Sequence, residues 1–390
     1  MRRDVILMVC IASLCLVWLG LQFEPEGPGP VESLSGTSLL ASAPEMFKRV
    51  TRPEPLRFPA DHAMHPGYRN EWWYFTGNLN GPEGARLGYQ FTLFRFALER
   101  TEVSSQTDDP PSDFTAAAIW MAHLALSDGR TQQFFQHERF AREALGLAGA
   151  SEQRWWLRDW AVRATERGWH LKAGTDDFGL DLQLQPGKPI VLQGEAGYSQ
   201  KGPQAGNASR YYSLTRIETS GQVRIGDALL QVNGQSWLDR EWGSSQLSDD
   251  LDGWDWFALQ LDDGRDLMLY RLRQSDGTAS PFSAGVLVET DGRYRVLTAN
   301  DFELTPNRYW TDAQGIAWPL DWSLQLPLAD LKLEVHAVFD QQRWDRSVQY
   351  WEGMVDVKSS GAPVGRGYLE LSGYADTGEQ AANTLAIERR

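Results

Sequence analysis

A hydrophobic period of two runs through most of the chain beyond residue 60, and it restricts the body to a β-fold. Phe178, Leu180, Leu182 and Leu184 alternate with Gly179, Asp181, Gln183 and Gln185, so one face of a strand is apolar and the other is not. Leu331, Leu333, Val335, Ala337 and Phe339 point one way, while Lys332, Glu334 and His336 point the other. Ile119, Met121, His123 and Ala125 alternate with Trp120, Ala122, Leu124 and Leu126. Both of those sets are mostly apolar, as in a strand covered on both faces. Asp262-Asp263-Gly264 separates two such runs and reads as a hairpin turn. The mixed stretch 138–167 admits a short helix. No Gly-rich phosphate loop follows a strand, which argues against a nucleotide fold.

The pattern repeats. Trp72, Tyr74, Phe75 and Leu79 recur 182 residues on as Trp254, Trp256, Phe257 and Leu261. In each copy a turn follows, then Arg86 or Arg265, then an aromatic-rich strand ending Phe94-Arg95 or Tyr270-Arg271. The expectation is two related β-domains, 61–244 and 245–388. Each is long enough for a sheet that closes on itself, and closure removes exposed edges.

Ahead of the body, Arg2 and Arg3 precede an apolar run at 5–21, followed by Glu24 and Glu26. Residues 1–23 therefore read as an apolar helix, either a cleaved export signal or an uncleaved membrane anchor. The charge asymmetry directs the rest of the chain outward, to a periplasmic location. Pro25, Pro28, Pro30, Pro44, Pro53, Pro55 and Pro59 make 24–60 a linker. Both cysteines, Cys10 and Cys15, lie in the apolar run. The body thus has no disulfide, no Cys-based zinc site and no thiol nucleophile. A net charge of -15 argues against nucleic acid. The 17 Trp supply large apolar area with one polar handle each.

Three segments carry a family resemblance: His65-Pro66-Gly67-Tyr68-Arg69-Asn70-Glu71-Trp72-Trp73-Tyr74-Phe75-Thr76-Gly77-Asn78-Leu79, then Trp237-Leu238-Asp239-Arg240-Glu241-Trp242-Gly243-Ser244-Ser245, then Gly253-Trp254-Asp255-Trp256-Phe257. They resemble the AttH-like family, which includes the carotenoid 1,2-hydratases (CrtC). The resemblance runs over roughly 55–388 and implies an all-β fold of two tandem lipocalin-like barrels. Some members are described as secreted hydrolases, and others are linked to ABC-type export with FtsX-like permeases. The hydratases add water across an isoprenoid double bond without a cofactor.

Glu71, beside Trp72 and Trp73, is either an acid with a raised pKa or a structural carboxylate paired with Arg69 or Arg95. On an extended strand Trp237, Asp239 and Glu241 share one face, while Arg240 and Trp242 take the other. The two carboxylates would stand about 7 Å apart and could act as general acid and base. Nearby rings would stabilise a carbocation. Asp239, Glu241 and Trp242 are thus the candidate catalytic set, against the alternative of a salt-bridged junction between the domains. At position 240 the family typically carries His. Arg240 stays protonated and cannot exchange a proton at neutral pH. Tyr211-Tyr212-Ser213 and Arg216 also resemble family positions. The candidate ligand contacts are Glu71, Trp72, Trp73, Tyr74, Tyr212 and Arg216, together with Trp237, Arg240, Trp254 and Trp256. His62 and His65 adjoin Asp61, but Pro66 and the missing third ligand argue against a metal. No G-x-S-x-G elbow is present, so hydrolysis ranks below hydration.

The leading expectation is an envelope protein that binds a lipid or isoprenoid-like molecule, needs no cofactor and works beside an inner-membrane ABC permease. The alternative is a cofactor-independent hydratase or hydrolase using Asp239 and Glu241. A third reading is a structural envelope protein with its aromatics in cores.

Overall fold

The computed structural model describes residues 45–98, 117–244, 247–248 and 250–374. The apolar N-terminal run lies outside them. Among the described residues, regular structure consists of β-strands and three short 3-10 turns. None of the described helices is long and apolar enough to cross a membrane.

The strands form two antiparallel, barrel-like sheets, one of 13 strands and one of 10. The first runs from Asn70 to Gly243 and the second from Leu251 to Ser372. The internal repeat explains how they match. In the first sheet the Asn70–Asn80 strand lies between Arg86–Ala97 and Ala228–Gly243. In the second, Leu251–Leu261 lies between Asp266–Gln274 and Ala362–Ser372. The repeated aromatic motif thus occupies the same place in each half.

Alternation then decides where each ring goes. Along Asn70–Asn80, Trp73, Phe75 and Leu79 enter the first barrel, where they join Trp120, Trp155 and Leu182. Phe257, Leu259 and Leu261 enter the second, beside Trp318, Trp322 and Trp351. Apolar side chains therefore occupy the interior of each barrel. The outward-facing partners Trp72, Tyr74, Trp254 and Trp256 meet in a third cluster between the sheets, with Trp237, Met354 and Tyr368.

Two features shape this seam, among the other contacts across it. A Cβ on Gly88 would lie 2.1 Å from Met354 Cγ and 2.5 Å from the Tyr368 hydroxyl, so only glycine lets the sheets approach there. Farther along, Arg216 of the first sheet meets Asp266 of the second, with Nε donating to Oδ1 at 2.9 Å. Asp266 is fully buried and also receives Lys188 at 2.8 Å and the Thr215 hydroxyl at 2.8 Å.

The expected hairpin is present. One strand ends at Leu261, the next starts at Asp266, and Gly264 has φ 89°, a left-handed value that suits glycine. The stretch 138–167 departs from expectation. It carries no helix, but the end of Gln133–Arg142 followed by Ala148–Ala150, Arg154–Leu157 and Trp160–Thr165. Left-handed turns at Leu145 and Arg158 break it into strands too short to show a clear period. Within them Trp155 and Leu157 are buried two residues apart.

Candidate functional site

A cavity of about 140 Å³ opens where the outer faces of the two sheets meet. A pocket of about 150 Å³ suffices for benzene. The first sheet contributes Trp72 and Tyr74, and the second contributes Trp254, Trp256 and Tyr270. Among the described residues four carboxylic side chains face the space, Asp239 and Glu241 from the first sheet, Glu352 and Glu370 from the second.

Asp239 is 3% exposed. Its Oδ1 accepts from Ser213 Oγ at 2.5 Å and from Trp237 Nε1 at 2.7 Å, and its Oδ2 accepts from the Tyr211 hydroxyl. Tyr211 in turn receives Trp256 Nε1 at 3.3 Å. Burial dominates and pushes the Asp239 pKa up to about 7, although the three donors pull the other way. Glu241 is held by Lys201 at 2.8 Å. Burial disfavours the Lys201 charge, but Glu241 and other nearby acidic groups outweigh it and raise its pKa, so it stays an ammonium.

Across the seam, Glu370 Oε1 accepts from Trp254 Nε1 at 2.8 Å. Burial pushes the Glu370 pKa to about 7, opposed by the Trp254 bond and assisted by Asp239. Glu352 Oε1 accepts from the Tyr74 hydroxyl at 2.6 Å. Burial, and then Glu370, hold Glu352 well above the ordinary carboxylate range.

Tyr350 also borders the cavity. Its hydroxyl accepts from Gln90 Nε2 at 2.9 Å, which leaves its own proton for His123 Nδ1 at 2.7 Å. The imidazole Nε2 lies 3.0 Å from Glu138 Oε1. Burial outweighs Glu138 and lowers the His123 pKa, so the ring is neutral and its Nε2 proton points at the carboxylate.

Among the sequence candidates, Trp72, Tyr74, Asp239, Glu241, Trp254 and Trp256 meet in the cavity. Trp237 lies on the same strand face and fixes Asp239. The remaining candidates sit elsewhere. Trp73 is in the first barrel's core. Glu71 forms a fully buried ion pair with Arg240, not with Arg69 or Arg95. Burial would raise the Glu71 pKa, but Arg240 and His65 outweigh it and hold the carboxyl below its ordinary range, so Glu71 is no acid. Arg240 lies over Trp73 at 3.8 Å and Trp242 at 4.9 Å. Arg240 therefore lies on the face of its strand turned away from the cavity. Trp242 stacks on His65 at 3.9 Å. Tyr212 shares a hydrogen bond of 2.6 Å with His62 Nδ1. Arg216 is the seam clamp. His62 and His65 are thus bound to protein groups, and His65 spans Glu71 at 2.6 Å and Asp61 at 3.2 Å.

Sequence reasoning missed Lys201, Glu352, Glu370 and the role of His123. For Glu370 the signal was available, because it lies opposite Trp256 as Asp239 lies opposite Tyr74. For His123 the clue was a polar residue in a strand that is otherwise apolar on both faces.

Two barrel-like sheets in tandem, sharing an aromatic cavity lined with carboxyl groups, define a tandem lipocalin-like protein with a cavity between its halves. The sequence matches the AttH-like pattern over residues 49–374, and the chain belongs to that family. An AttH protein of Nitrosomonas europaea is 33% identical, with a TM-score of 0.76 over 84% of this chain and 100% of that one. Kievitone hydratase of Nectria haematococca shares the fold at 15% identity and a TM-score of 0.59, over 84% of this chain and 98% of that one. A search of curated proteins gave no match.

Proposed function

We propose that the protein is a cofactor-independent hydratase acting on an apolar, unsaturated molecule held between the two sheets. One observation carries the reading. Asp239 is a buried carboxyl with a pKa of about 7, positioned by three donors in an aromatic cavity. Such a group is a general acid at neutral pH. Its O–H proton passes to one alkene carbon, the π electrons form the new C–H bond, and the other carbon becomes cationic. The faces of Trp72, Trp254 and Trp256 stabilise that charge. A water oxygen adds to the cation while Glu241, charge-balanced by Lys201, takes the water's proton. Return of that proton to Asp239 closes the cycle. That a hydratase shares the fold agrees with this chemistry.

A carrier of apolar molecules beside an envelope permease would use the same aromatic walls without the Asp239 proton. Incubation with short isoprenoid alkenes in oxygen-18 water separates the two. A hydratase yields a labelled alcohol, and Asp239→Asn abolishes it without loss of folding. Turnover that survives Asp239→Asn would sink the proposal. Bound alkene with no alcohol under any condition would favour the carrier.

A further inference from the structure

The cavity holds more carboxyl groups than its own donors and cations satisfy. Its described lining residues include four carboxyl groups and one basic side chain, Lys201. Lys201 is committed to Glu241. Asp239 has three donors and Glu370 has Trp254, whereas Glu352 has the Tyr74 hydroxyl on one oxygen alone. Glu352 is 2% exposed, and its Oε2 has no hydrogen-bond partner among the described residues.

A second acceptor stands idle in the same space. Gln90 is 2% exposed and spends its amide nitrogen on Tyr350 and Thr92. Its Oε1 is unpartnered among the described residues. A buried acceptor without a donor costs the full desolvation of that group. Two such acceptors lining one cavity call for a guest that brings N–H or O–H groups with it.

The rest of the lining favours a charged donor. Trp72, Trp254 and Trp256 face the space, and aromatic faces attract cations. The chain's own ammonium already shows the arrangement. Lys201 Nζ lies against Glu241 while sitting 5.2 Å from the Tyr211 ring centre and 4.9 Å from that of Tyr270.

We infer that the ligand of this cavity has an apolar body bearing a protonated amine, received by Glu352 and Gln90 as Lys201 is received by Glu241 and the tyrosine rings. The inference rests on the cavity being the ligand site and names the class of molecule it takes. The ammonium satisfies both idle acceptors and lets Glu352 ionise beside it, while the apolar body fills the space between the tryptophans.

The test uses the full chain and three probes of similar size: 2-phenylethylamine, 2-phenylethanol and 3-phenylpropanoate. Calorimetry and quenching of tryptophan emission at about pH 8, where an alkylamine is protonated, report affinity. The amine is expected to bind about tenfold tighter than the alcohol, and the propanoate more weakly than either. Glu352→Gln, isosteric and checked by its melting curve, is expected to remove most of the amine's advantage and leave the alcohol unchanged. An alcohol that binds as well as the amine to the wild-type chain overturns the inference, whatever the variant does, and leaves hydration at Asp239 standing. Binding of none of the three overturns it as well. Loss of labelled alcohol in Asp239→Asn tests the hydratase reading separately.

Discussion

Asp239 and Glu370 are counterparts in the two halves of the chain. Asp239 lies opposite Tyr74 in the first sheet and Glu370 opposite Trp256 in the second. Tyr74 and Trp256 hold the same position in the internal repeat and meet edge to face, 5.2 Å between ring centres. In each half the strand paired with the repeated motif thus delivers an acid to its wall of the cavity, and burial brings both to a pKa of about 7.

The Asp239 shift has a consequence for stability. Its folded pKa of about 7 lies above the ordinary aspartate value of 3.8. The native state therefore holds a proton that the unfolded chain releases, and stability falls as pH rises from near 4 to near 7. The difference corresponds to about 4 kcal/mol of charge burial above neutrality. Asp239→Asn carries no such charge. Melting curves from about pH 5 to pH 9 are expected to show the variant gaining on the wild type as pH rises. A gap that stays constant across the range would refute the burial account.

His62 acts with the opposite sign. Burial, and then Arg240, lower its pKa from 6.5 to about 4, so the folded ring is neutral. Its contribution is present above the unfolded pKa and is lost as pH falls from 6.5 towards 4, for about 3 kcal/mol in all. His62→Gln should lose less stability over that window than the wild type does. Urea denaturation at several pH values checks it, and parallel curves for the two proteins would show that His62 does not titrate as described.

The Arg216–Asp266 clamp joins the sheets at a fully buried carboxylate. Removing one partner of a buried pair leaves the other uncompensated. Arg216→Leu is expected to cost about 3 kcal/mol, moderated by Lys188 and Thr215, which still reach Asp266. A change below about 0.5 kcal/mol in chemical denaturation, the size of an ordinary surface substitution, would mean the seam does not depend on it.

The fold was legible because alternation is a local property. Leu180, Leu182 and Leu184 declare a buried face without knowledge of any partner, and the recurrence of Trp72 and Tyr74 as Trp254 and Trp256 declares two halves. The same rule separated Asp239 from Arg240. It could not say that the face holding Asp239 turns towards a second sheet, because that depends on how two whole sheets pack together. Glu71 shows the limit plainly. Its neighbours Trp72 and Trp73 suggested a proton donor, yet its charge is decided by Arg240, adjacent in the sheet but 169 residues on in sequence. Lys201 and Glu352 were invisible for the same reason, since only the seam gives them apolar surroundings.

Because each wall of the cavity belongs to a different half of the chain, its width depends on how the halves tilt against each other. Substitutions at the Gly88–Met354 contact would alter that tilt while leaving both interior cores untouched. Relatives could come to accept guests of different size by adjusting one seam, with no need to rebuild a barrel.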